Sequence, residues 1–362
     1  MKKATVIAYY LPQFHPTKEN NEWWGEGFTE WTNVAKARPL FKGHHQPNLP
    51  ADLGFYDLRS AETRDKQAEL AKRAGVDAFC YWHYWFGNGR QLLEKPLQLV
   101  VETGHPDFPF CLGWANHSWF KKLWNSDLSQ LDQTLLMKQE YPGLDDHKLH
   151  FDTMLPMFRD GRYYKIKGKL VFLIYDVQNF QGLEDFIALW QKLASKNGLP
   201  PFYFIGRVSN EQQIVQARKY SLDHLVYEDS QAFYRTDNKY LQKYKPYIAS
   251  LLKRPLGIIK YSDFIHRMNF DPVKESDDVF PTIYSNWDTS PRRGVGGDIV
   301  TNATPELFYS HVRDVISFMS RKPEEDRVIF LKSWNEWAEG NYIEPDIQYG
   351  KARIDALHNA LF

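Results

Sequence analysis

Almost the whole chain consists of eight short apolar runs, each followed by a stretch of helical periodicity. This pattern limits the folds that the chain can adopt. Each run has the length of one buried strand, and no linker or shift in composition separates the repeats. The predicted strands are residues 5–10, 76–81, 108–113, 170–174, 202–205, 224–227, 279–284 and 328–331. The predicted helices are residues 60–74, 91–103, 145–158, 183–197, 211–220, 240–252, 261–268, 305–320 and 351–361. These repeats predict an α/β fold, a single (β/α)8 TIM barrel with long βα loops.

The repeats continue to the end of the chain, so we expect residues 1–362 to form one catalytic barrel domain. A doubly wound sheet is the alternative, but neither a G-x-G-x-x-G nor a Walker motif follows the first strand. Residues 13–58 show no good helix and are punctuated by Gly, Pro and Asn. Long irregular segments in a compact domain are usually functional, so we expect this one to contribute to the site.

Charge and composition argue against several classes of protein. Lys+Arg and Asp+Glu both number 45, whereas a nucleic-acid-binding protein would carry a basic excess. No stretch approaches the ~18 apolar residues of a membrane-spanning helix, so we expect no integral membrane segment. Residues 1–11 resemble a signal peptide without a cleavage site, so we predict a first strand and a cytoplasmic protein. Cys80 and Cys111 lie in apolar runs and are predicted to be reduced, buried thiols; a disulfide would require neighbouring strands.

The eighth apolar run opens into Trp-Asn-Glu-Trp-Ala-Glu-Gly at residues 334–340. Glu336 and Glu339 are three residues apart, so one helical turn would hold their Cβ atoms roughly 5–6 Å apart. Retaining glycosidases separate their two carboxyl groups by about 5–5.5 Å. We therefore predict that Glu336 and Glu339 are catalytic, with indole rings that bind sugar and raise one carboxyl pKa by desolvation. The alternative is an exposed helix start, where acidic residues suit the dipole but two Trp would have no use.

Polar and aromatic side chains also follow the first, second, third, fourth and seventh strands. The carboxyl ends of barrel strands share one face, so these side chains should converge. Aromatic rings bind the apolar face of a sugar, and Asn, Asp and His bind its hydroxyl groups. The expected partner is therefore an oligo- or polysaccharide. The predicted substrate-binding residues are Tyr10, Gln13, Trp31, Trp82, His83, Tyr84, Trp114, Asn116, His117, Tyr175, Asp176, Trp287, Asp288, Arg292, Trp334, Asn335 and Trp337.

Three features leave alternatives open. His83 and His117 could be zinc ligands, but no H-x-H or H-E-x-x-H spacing occurs, and we predict neither a metal nor a cofactor. Arg292 and Arg293 form a basic pair that suits either an anionic substituent of the substrate or a solvated loop. Residues 240–261 are basic, and they could contact a membrane surface or an anionic glycan, or form a solvated basic face.

Three motifs together resemble the family 99-like glycoside hydrolases: Tyr-Tyr-Leu-Pro-Gln-Phe-His at residues 9–15, Trp-Gly-Glu-Gly-Phe-Thr-Glu-Trp at 24–31, and the 334–340 motif. The chain is most similar to the branch from O-antigen and other polysaccharide gene clusters, often labelled glycosyltransferase. Better-studied relatives are retaining endo-acting α-mannosidases on a (β/α)8 barrel. The resemblance implies that Glu336 deprotonates the sugar 2-hydroxyl, giving a 1,2-anhydro intermediate. It implies that Glu339 is the acid and base. Ala338 stands where the mannosidases have His, which removes a polar contact near the acid and base but leaves the carboxyl pair in place.

Three functions fit these observations. The first is a retaining glycoside hydrolase that cleaves α-mannoside-like linkages of a polysaccharide with Glu336 and Glu339. The second is a glycosyltransferase of lipopolysaccharide, O-antigen or other surface-polysaccharide biosynthesis, although no Asp-x-Asp motif is present to bind a sugar nucleotide through a metal. The third is a non-catalytic glycan-binding barrel.

Overall fold

The computed structural model describes residues 2–121, 134–229, 232–234 and 239–362, except for the side chains of residues 239–243 and 246. Its centre is a closed barrel of eight parallel strands in chain order, with the first strand hydrogen-bonded to both the second and the last. The fold class predicted from the repeats is therefore confirmed. The strands are β1 (Thr5–Tyr10), β2 (Ala78–Trp85), β3 (Phe110–Trp114), β4 (Lys169–Ile174), β5 (Phe202–Val208), β6 (His224–Tyr227), β7 (Val279–Tyr284) and β8 (Val328–Lys332).

Helices cover the outside of the barrel and explain why its strands are apolar on both faces. Every residue of β2, β7 and β8 is buried. The helices are α1 (Lys18–Trp24), α2 (Glu30–Lys36), α3 (Ala61–Ala74), α4 (Lys95–Thr103), α5 (Leu144–Phe158), α6 (Leu183–Lys196), α7 (Glu211–Ala217), α8 (Lys239–Leu251), α9 (Tyr261–Arg267), α10 (Asp271–Lys274), α11 (Ser290–Arg293), α12 (Pro305–Met319) and α13 (Ala352–Leu361). The last helix packs against both α12 and α3, next to the first and last strands of the barrel.

Two predicted boundaries around β2 were wrong. The strand continues to Trp85, past its predicted end at residue 81, because Tyr84 and Trp85 pair antiparallel with a short strand at Gln91–Leu92. That short strand also delays the next helix, which begins at Lys95 instead of residue 91. Residues 82–85, which we expected in a loop after β2, therefore lie on the strand itself, with side chains that alternate between its two faces.

The segment between β1 and α3 contains two short helices, where we expected none. The hydroxyl of Thr17 accepts a hydrogen bond from the backbone N–H of Asn20 at the start of α1. At the start of α2, Thr29 and Thr32 form a reciprocal capping box. Such caps satisfy backbone donors that a helix start leaves unpaired, so they stabilise helices too short to show a periodic apolar pattern.

Cys80 and Cys111 are buried free thiols, as predicted, although they face each other across β2 and β3. Among the described residues, no helix has the length and apolar character needed to cross a membrane. The same part of the chain contains no group of three or more His, Cys, Asp or Glu side chains that could hold a metal ion.

Candidate active site

A cavity of about 430 Å³ opens where β1, β2, β3, β4 and β8 end. Small-molecule sites typically measure roughly 300–1,000 Å³, and barrel enzymes carry their active sites on this face. Charged and aromatic side chains share the wall. The residues that line it are Leu11, Gln13, Trp24, Phe28, Glu30, Asn33, Trp82, Tyr84, Ala115, His117, Ser118, Trp119, Phe120, Leu136, Tyr175, Arg292, Lys332, Glu336 and Glu339.

The segment after β8 presents both predicted catalytic carboxyl groups to this cavity. A two-residue strand, Asn335–Glu336, pairs antiparallel with Asn341–Tyr342. Between them, Trp337–Glu339 forms one 3-10 turn. This tight hairpin returns the chain within a few residues, so the two carboxyl groups are fixed on the same side of a short, hydrogen-bonded loop.

Gly340 closes this hairpin with a φ of 68°, in the left-handed region that favours glycine. A Cβ atom at this position would lie 2.6 Å from the backbone nitrogen of Asp288. The absence of a side chain therefore also permits a close backbone approach, in which the N–H of Asp288 donates a 2.8 Å hydrogen bond to the carbonyl oxygen of Glu339. The hairpin after β8 is thus tied to the segment that follows β7.

Glu336 is buried, and the indole N–H of Trp82 donates a 3.2 Å hydrogen bond to one of its carboxyl oxygens. Burial, and then the charge of Glu339, raise the pKa of Glu336 from 4.5 to about 8. The positive charges of Lys332 and Arg292 act in the opposite direction. A carboxyl group with such a raised pKa, beside a second carboxyl group in the same cavity, readily retains one proton.

Arg292 lies between Glu339 and Glu30 and forms ion pairs with both. It donates one hydrogen bond to a carboxyl oxygen of Glu339, and its Nη2 atom lies 3.1 Å from Oε2 of Glu30. Burial raises the pKa of the Glu30 carboxyl, although Arg292 opposes that shift. The arginine comes from α11 and Glu30 from α2, so this three-residue bridge joins two loops across the cavity.

Lys332 places an ammonium group in the cavity wall from the last position of β8. Its Nζ atom lies 2.9 Å from Oε2 of Glu228, and Nε of Arg207 lies 3.2 Å from the same oxygen. Burial alone would raise the pKa of Glu228, but the charges of Lys332 and Arg207 outweigh it and lower that pKa to about 2. A buried carboxylate with two cations therefore lies inside the barrel, and one of those cations, Lys332, also lines the cavity.

Aromatic side chains form a surface next to the carboxyl pair. Trp82 stacks on Tyr9, with ring centroids 4.6 Å apart, and meets the ring of Tyr175 edge-on at 5.6 Å. The imidazole of His117 lies 5.2 Å from the same Tyr175 ring. Flat aromatic faces beside hydrogen-bonding carboxyl, amide and imidazole groups can bind the two kinds of surface that a sugar ring presents.

The structure brings eight of the predicted site residues into the wall of this cavity. They belong to the loop after β1, to β2, to the loops after β3 and β4, to α11 and to the hairpin after β8. These residues are Gln13, Trp82, Tyr84, His117, Tyr175, Arg292, Glu336 and Glu339.

Three tryptophans that we expected to face the sugar are instead buried beneath the site. Trp334 is 0% exposed and Trp337 1%, and Trp31 is also buried. The indole N–H of Trp337 donates a 2.6 Å hydrogen bond to Glu344, and that of Trp31 donates one of 2.8 Å to the carbonyl oxygen of Tyr56. Trp334 and Trp337 belong to the tight turn, whose large side chains pack into the core while its carboxyl groups face the cavity, and the ring of Trp31 packs against that of Trp337.

Four other predicted residues lie outside the cavity wall, because strand alternation or local bonding turns their side chains away. Tyr10 and His83 point outward toward α3 and α5, where they bond to Gln67 and His150, whereas their neighbours Tyr9 and Trp82 point inward. Burial lowers the pKa of His83 to about 3. The buried Trp114 donates to the carbonyl oxygen of Trp85, and the buried Asn335 side chain bonds both backbone groups of Leu11.

The remaining four predicted residues also lie outside the cavity wall as described, and three of them hold neighbouring loops. Asn116 accepts a 2.7 Å hydrogen bond from the backbone N–H of Asp176, and joins the loops after β3 and β4. Asp288 accepts hydrogen bonds from His44 and Gln46 and anchors the long first loop. The ring of Trp287 lies 5.4 Å from the ammonium of Lys332. These four residues therefore support the site and do not line its cavity.

Sequence reasoning missed two charged residues of the cavity. Glu30 belongs to the second motif of the resemblance, so its position was a usable signal. Lys332 is the last residue of a barrel strand, a position where functional residues concentrate. Four aromatic wall residues were also missed, two of them from the long first loop that we expected to be functional: Trp24, Phe28, Trp119 and Phe120.

Solved structures with a related fold include a glycoside hydrolase-like protein, with a TM-score of 0.64 and 14% identity over 100% of this chain and 94% of that chain. A GH99 endo-α-mannosidase from Bacteroides thetaiotaomicron, in complex with Bis-Tris-propane, has a TM-score of 0.52 and 16% identity. It aligns with 98% of this chain and 94% of its own. Identities this low show a shared fold.

The sequence itself gives a closer relationship. The protein WxcX of Xanthomonas campestris pv. campestris (strain ATCC 33913) is 33% identical over 376 residues, and so is WxcX of strain B100. In both cases the alignment includes 99% of this chain, which spans about half the length of these relatives. The model of the family described as Glycosyltransferase WbsX matches residues 6–357. The chain, a (β/α)8 barrel with a fold similar to that of a GH99 endo-α-mannosidase, therefore belongs to the Glycosyltransferase WbsX family.

Proposed function

We propose that this protein is a retaining glycoside hydrolase that acts on α-mannoside-like linkages of a polysaccharide through Glu336 and Glu339. The observation that carries the proposal is the pair itself. Both carboxyl groups line one cavity, and the charge of Glu339 helps to raise the pKa of Glu336 to about 8. Titratable groups coupled in this way are typical of acid–base catalysis. The GH99 endo-α-mannosidase supports the choice of linkage through its fold.

In the proposed reaction, Glu336 removes the proton from the sugar 2-hydroxyl, and the 2-oxygen attacks the anomeric carbon. The bond to the leaving oxygen breaks as Glu339 donates a proton to it. In the second half, Glu339 removes a proton from water, which attacks the anomeric carbon and opens the 1,2-anhydro ring. Glu336 returns its proton to the 2-oxygen. Two displacements at one carbon retain its configuration, as in other retaining enzymes.

A transferase that uses the same site is the second candidate, and the family description favours it. A sugar hydroxyl would then replace water in the second displacement. A sugar-nucleotide donor would need cations for its diphosphate. The two cations described in the cavity wall, Arg292 and Lys332, are already paired with Glu339, Glu30 and Glu228. This electrostatic argument favours hydrolysis, or transfer between glycosides, over the use of a nucleotide donor.

The test is digestion of defined α-mannosides and bacterial polysaccharides, with the products followed by NMR so that the sugar and its anomeric configuration are read together. Glu336→Gln and Glu339→Gln should each lower turnover by about 10²–10⁴. Glu344→Gln is the matched control. Glu344 is also buried on this loop, but it bonds to Tyr56, Gln67 and Trp337 away from the cavity wall.

An aryl glycoside with a good leaving group should partly restore the turnover of Glu339→Gln, because the leaving group then needs no proton. It should not restore the turnover of Glu336→Gln. Inversion at the anomeric carbon, or substantial turnover in both variants, would contradict the mechanism. New glycosidic bonds formed from a sugar nucleotide would establish the transferase instead. Glycan binding that persists in both variants, with no turnover by the unmodified protein on any substrate, would establish a non-catalytic barrel.

A further inference from the structure

Helix α8 (Lys239–Leu251) turns an apolar face toward solvent. Tyr244, Tyr247 and Leu251 are 55%, 61% and 73% exposed. Their spacing of three and four residues puts them on one side of the helix. Ala249 is 1% exposed and faces the protein from the opposite side. A surface helix normally has the reverse arrangement, with its larger apolar side chains toward the core.

The apolar surface continues beyond the end of the helix. Leu252 and Ile258 are also exposed large apolar side chains, only a few residues further along the chain. Single apolar residues are common on protein surfaces, but a contiguous group of this kind usually marks an interaction site. The exposed side chains Tyr244, Tyr247, Leu251, Leu252 and Ile258 are called the α8 surface below.

Positive charge accompanies this apolar face. Residues 239–260 contain six Lys and Arg and no Asp or Glu, although the whole chain has 45 of each kind of charge. Lys253, Arg254 and Lys260 are exposed beside the α8 surface. This excess is therefore local, and it makes the segment complementary to an anionic partner.

The α8 surface lies at the same end of the barrel as the candidate active site. Helix α8 packs against the 3-10 turn Gly294–Gly296. That turn directly follows α11, whose Arg292 lines the cavity and bonds to Glu339. A partner bound to α8 would therefore lie beside the mouth of the cavity.

We propose that the α8 surface docks the protein on an anionic membrane surface. Tyr and Leu side chains are suited to the boundary between head groups and acyl chains, and neighbouring Lys and Arg side chains can reach lipid phosphates. An anionic glycan would pair with the charges and could stack on the tyrosines, but it would leave Leu251, Leu252 and Ile258 in water. Docking would hold the cavity at the membrane surface. The proposal goes beyond the catalytic function and does not depend on it.

The test is flotation of the purified full-length chain with vesicles of phosphatidylcholine containing 30% phosphatidylglycerol, and with vesicles of phosphatidylcholine alone. We expect the chain to bind the anionic vesicles, and we expect this binding to weaken as the salt concentration rises, because salt screens the attraction between opposite charges. Each basic residue near such a surface contributes about fivefold to partitioning. The double variant Lys253→Glu/Arg254→Glu should therefore bind roughly 25-fold more weakly or worse.

The apolar contribution is tested with Tyr247→Ser/Leu251→Ser, which should also abolish most of the binding. Val215→Ser, at another exposed apolar position, and Lys192→Glu/Lys196→Glu, at exposed lysines of α6, are the matched controls and should bind like the unmodified chain. Equal loss in these controls would overturn the proposal. So would binding to an anionic polysaccharide or to a second copy of the chain without binding to vesicles.

Discussion

Replacing Lys332 with Met tests whether the charges inside the barrel set the ionisation of the catalytic pair. Lys332 lines the same cavity as Glu336, and its ammonium is held 2.9 Å from Glu228. Its positive charge lowers the pKa of Glu336 against the larger effects of burial and Glu339, which together leave that pKa at about 8. Met has a similar length and no charge, so the substitution removes the electrostatic effect with little change in volume.

The expected change follows from these opposing effects. Removing a nearby opposite charge typically moves a carboxyl pKa by about 1–3 units, so we expect the pKa of Glu336 to rise by one unit or more. Each unit corresponds to ~1.4 kcal/mol. If Glu336 acts as the base, its ionised fraction at pH 7 falls about tenfold, and the rate falls with it. The other groups that act on Glu336 are Glu339, Arg292 and Tyr84.

The assay is a carbon-13 NMR titration of protein labelled at the Glu carboxyl carbons, with Glu336→Gln used to assign the resonance. This measurement needs no substrate, so it remains informative if the proposed activity is wrong. Lys332→Arg should restore a titration near that of the unmodified protein. Lys322→Met is the matched control, since Lys322 is equally buried but bonds to carbonyl oxygens at Ser276 and Val279, at the other end of β7. An unchanged midpoint in Lys332→Met would refute the reasoning.

Three further outcomes are expected. Because the folded-state pKa of Glu336 is raised from 4.5 to about 8, the folded protein binds more protons than the unfolded chain in that interval, and stability falls as pH rises through it. Glu336→Gln should therefore raise the melting temperature more at pH 8 than at pH 5, and an equal effect at both would contradict this. Gly340→Ala should destabilise the protein far more than Gly104→Ala in urea unfolding, since both have positive φ but a Cβ at Gly104 meets open space. Trp337→Phe removes a donor to the buried Glu344 and should cost about 1–3 kcal/mol in the same assay, and a neutral result would show that this hydrogen bond is dispensable.

The barrel and the carboxyl pair could be predicted because each rests on a local pattern. Strands buried on both faces are read directly from apolar runs, and Glu336 and Glu339 are only three residues apart. Helices α1 and α2 could not be seen in this way, because caps at Thr17 and Thr29 stabilise them in place of an apolar stripe. Their existence depends on side-chain hydrogen bonds that periodicity does not report.

The direction of side chains near the site was the harder problem. Period-two alternation puts Trp82 in the cavity and turns the adjacent His83 toward α5, but the phase is known only once β2 is known to continue to Trp85. The pairing of Arg292 with Glu30 joins residues 262 positions apart and depends on the closed barrel. A sequence pattern identifies which residue types gather at the strand ends, and tertiary contacts decide which of them face the ligand.

The charges in and below the cavity limit where the catalytic proton can reside. Four carboxyl groups, Glu30, Glu228, Glu336 and Glu339, face three cations, Arg207, Arg292 and Lys332. Four carboxylates and three cations leave one net negative charge, and an isolated charge in a buried site is costly. The group therefore becomes neutral by holding one proton. Arg292 donates a hydrogen bond directly to Glu339, whereas burial and the charge of Glu339 raise the pKa of Glu336, so we infer that the proton resides on Glu336.

The resting protonation is therefore the reverse of the one that the proposed reaction needs, with Glu336 as base and Glu339 as acid. Substrate binding must then move the proton from Glu336 to Glu339, and Arg292 must turn toward Glu30. In Arg292→Met the four carboxyl groups face only two cations, so the same charge balance requires a second proton, and Glu339 should carry it before substrate binds. The pH optimum of this variant should therefore differ from that of the unmodified protein. Identical pH profiles would mean that Arg292 does not control the protonation of Glu339.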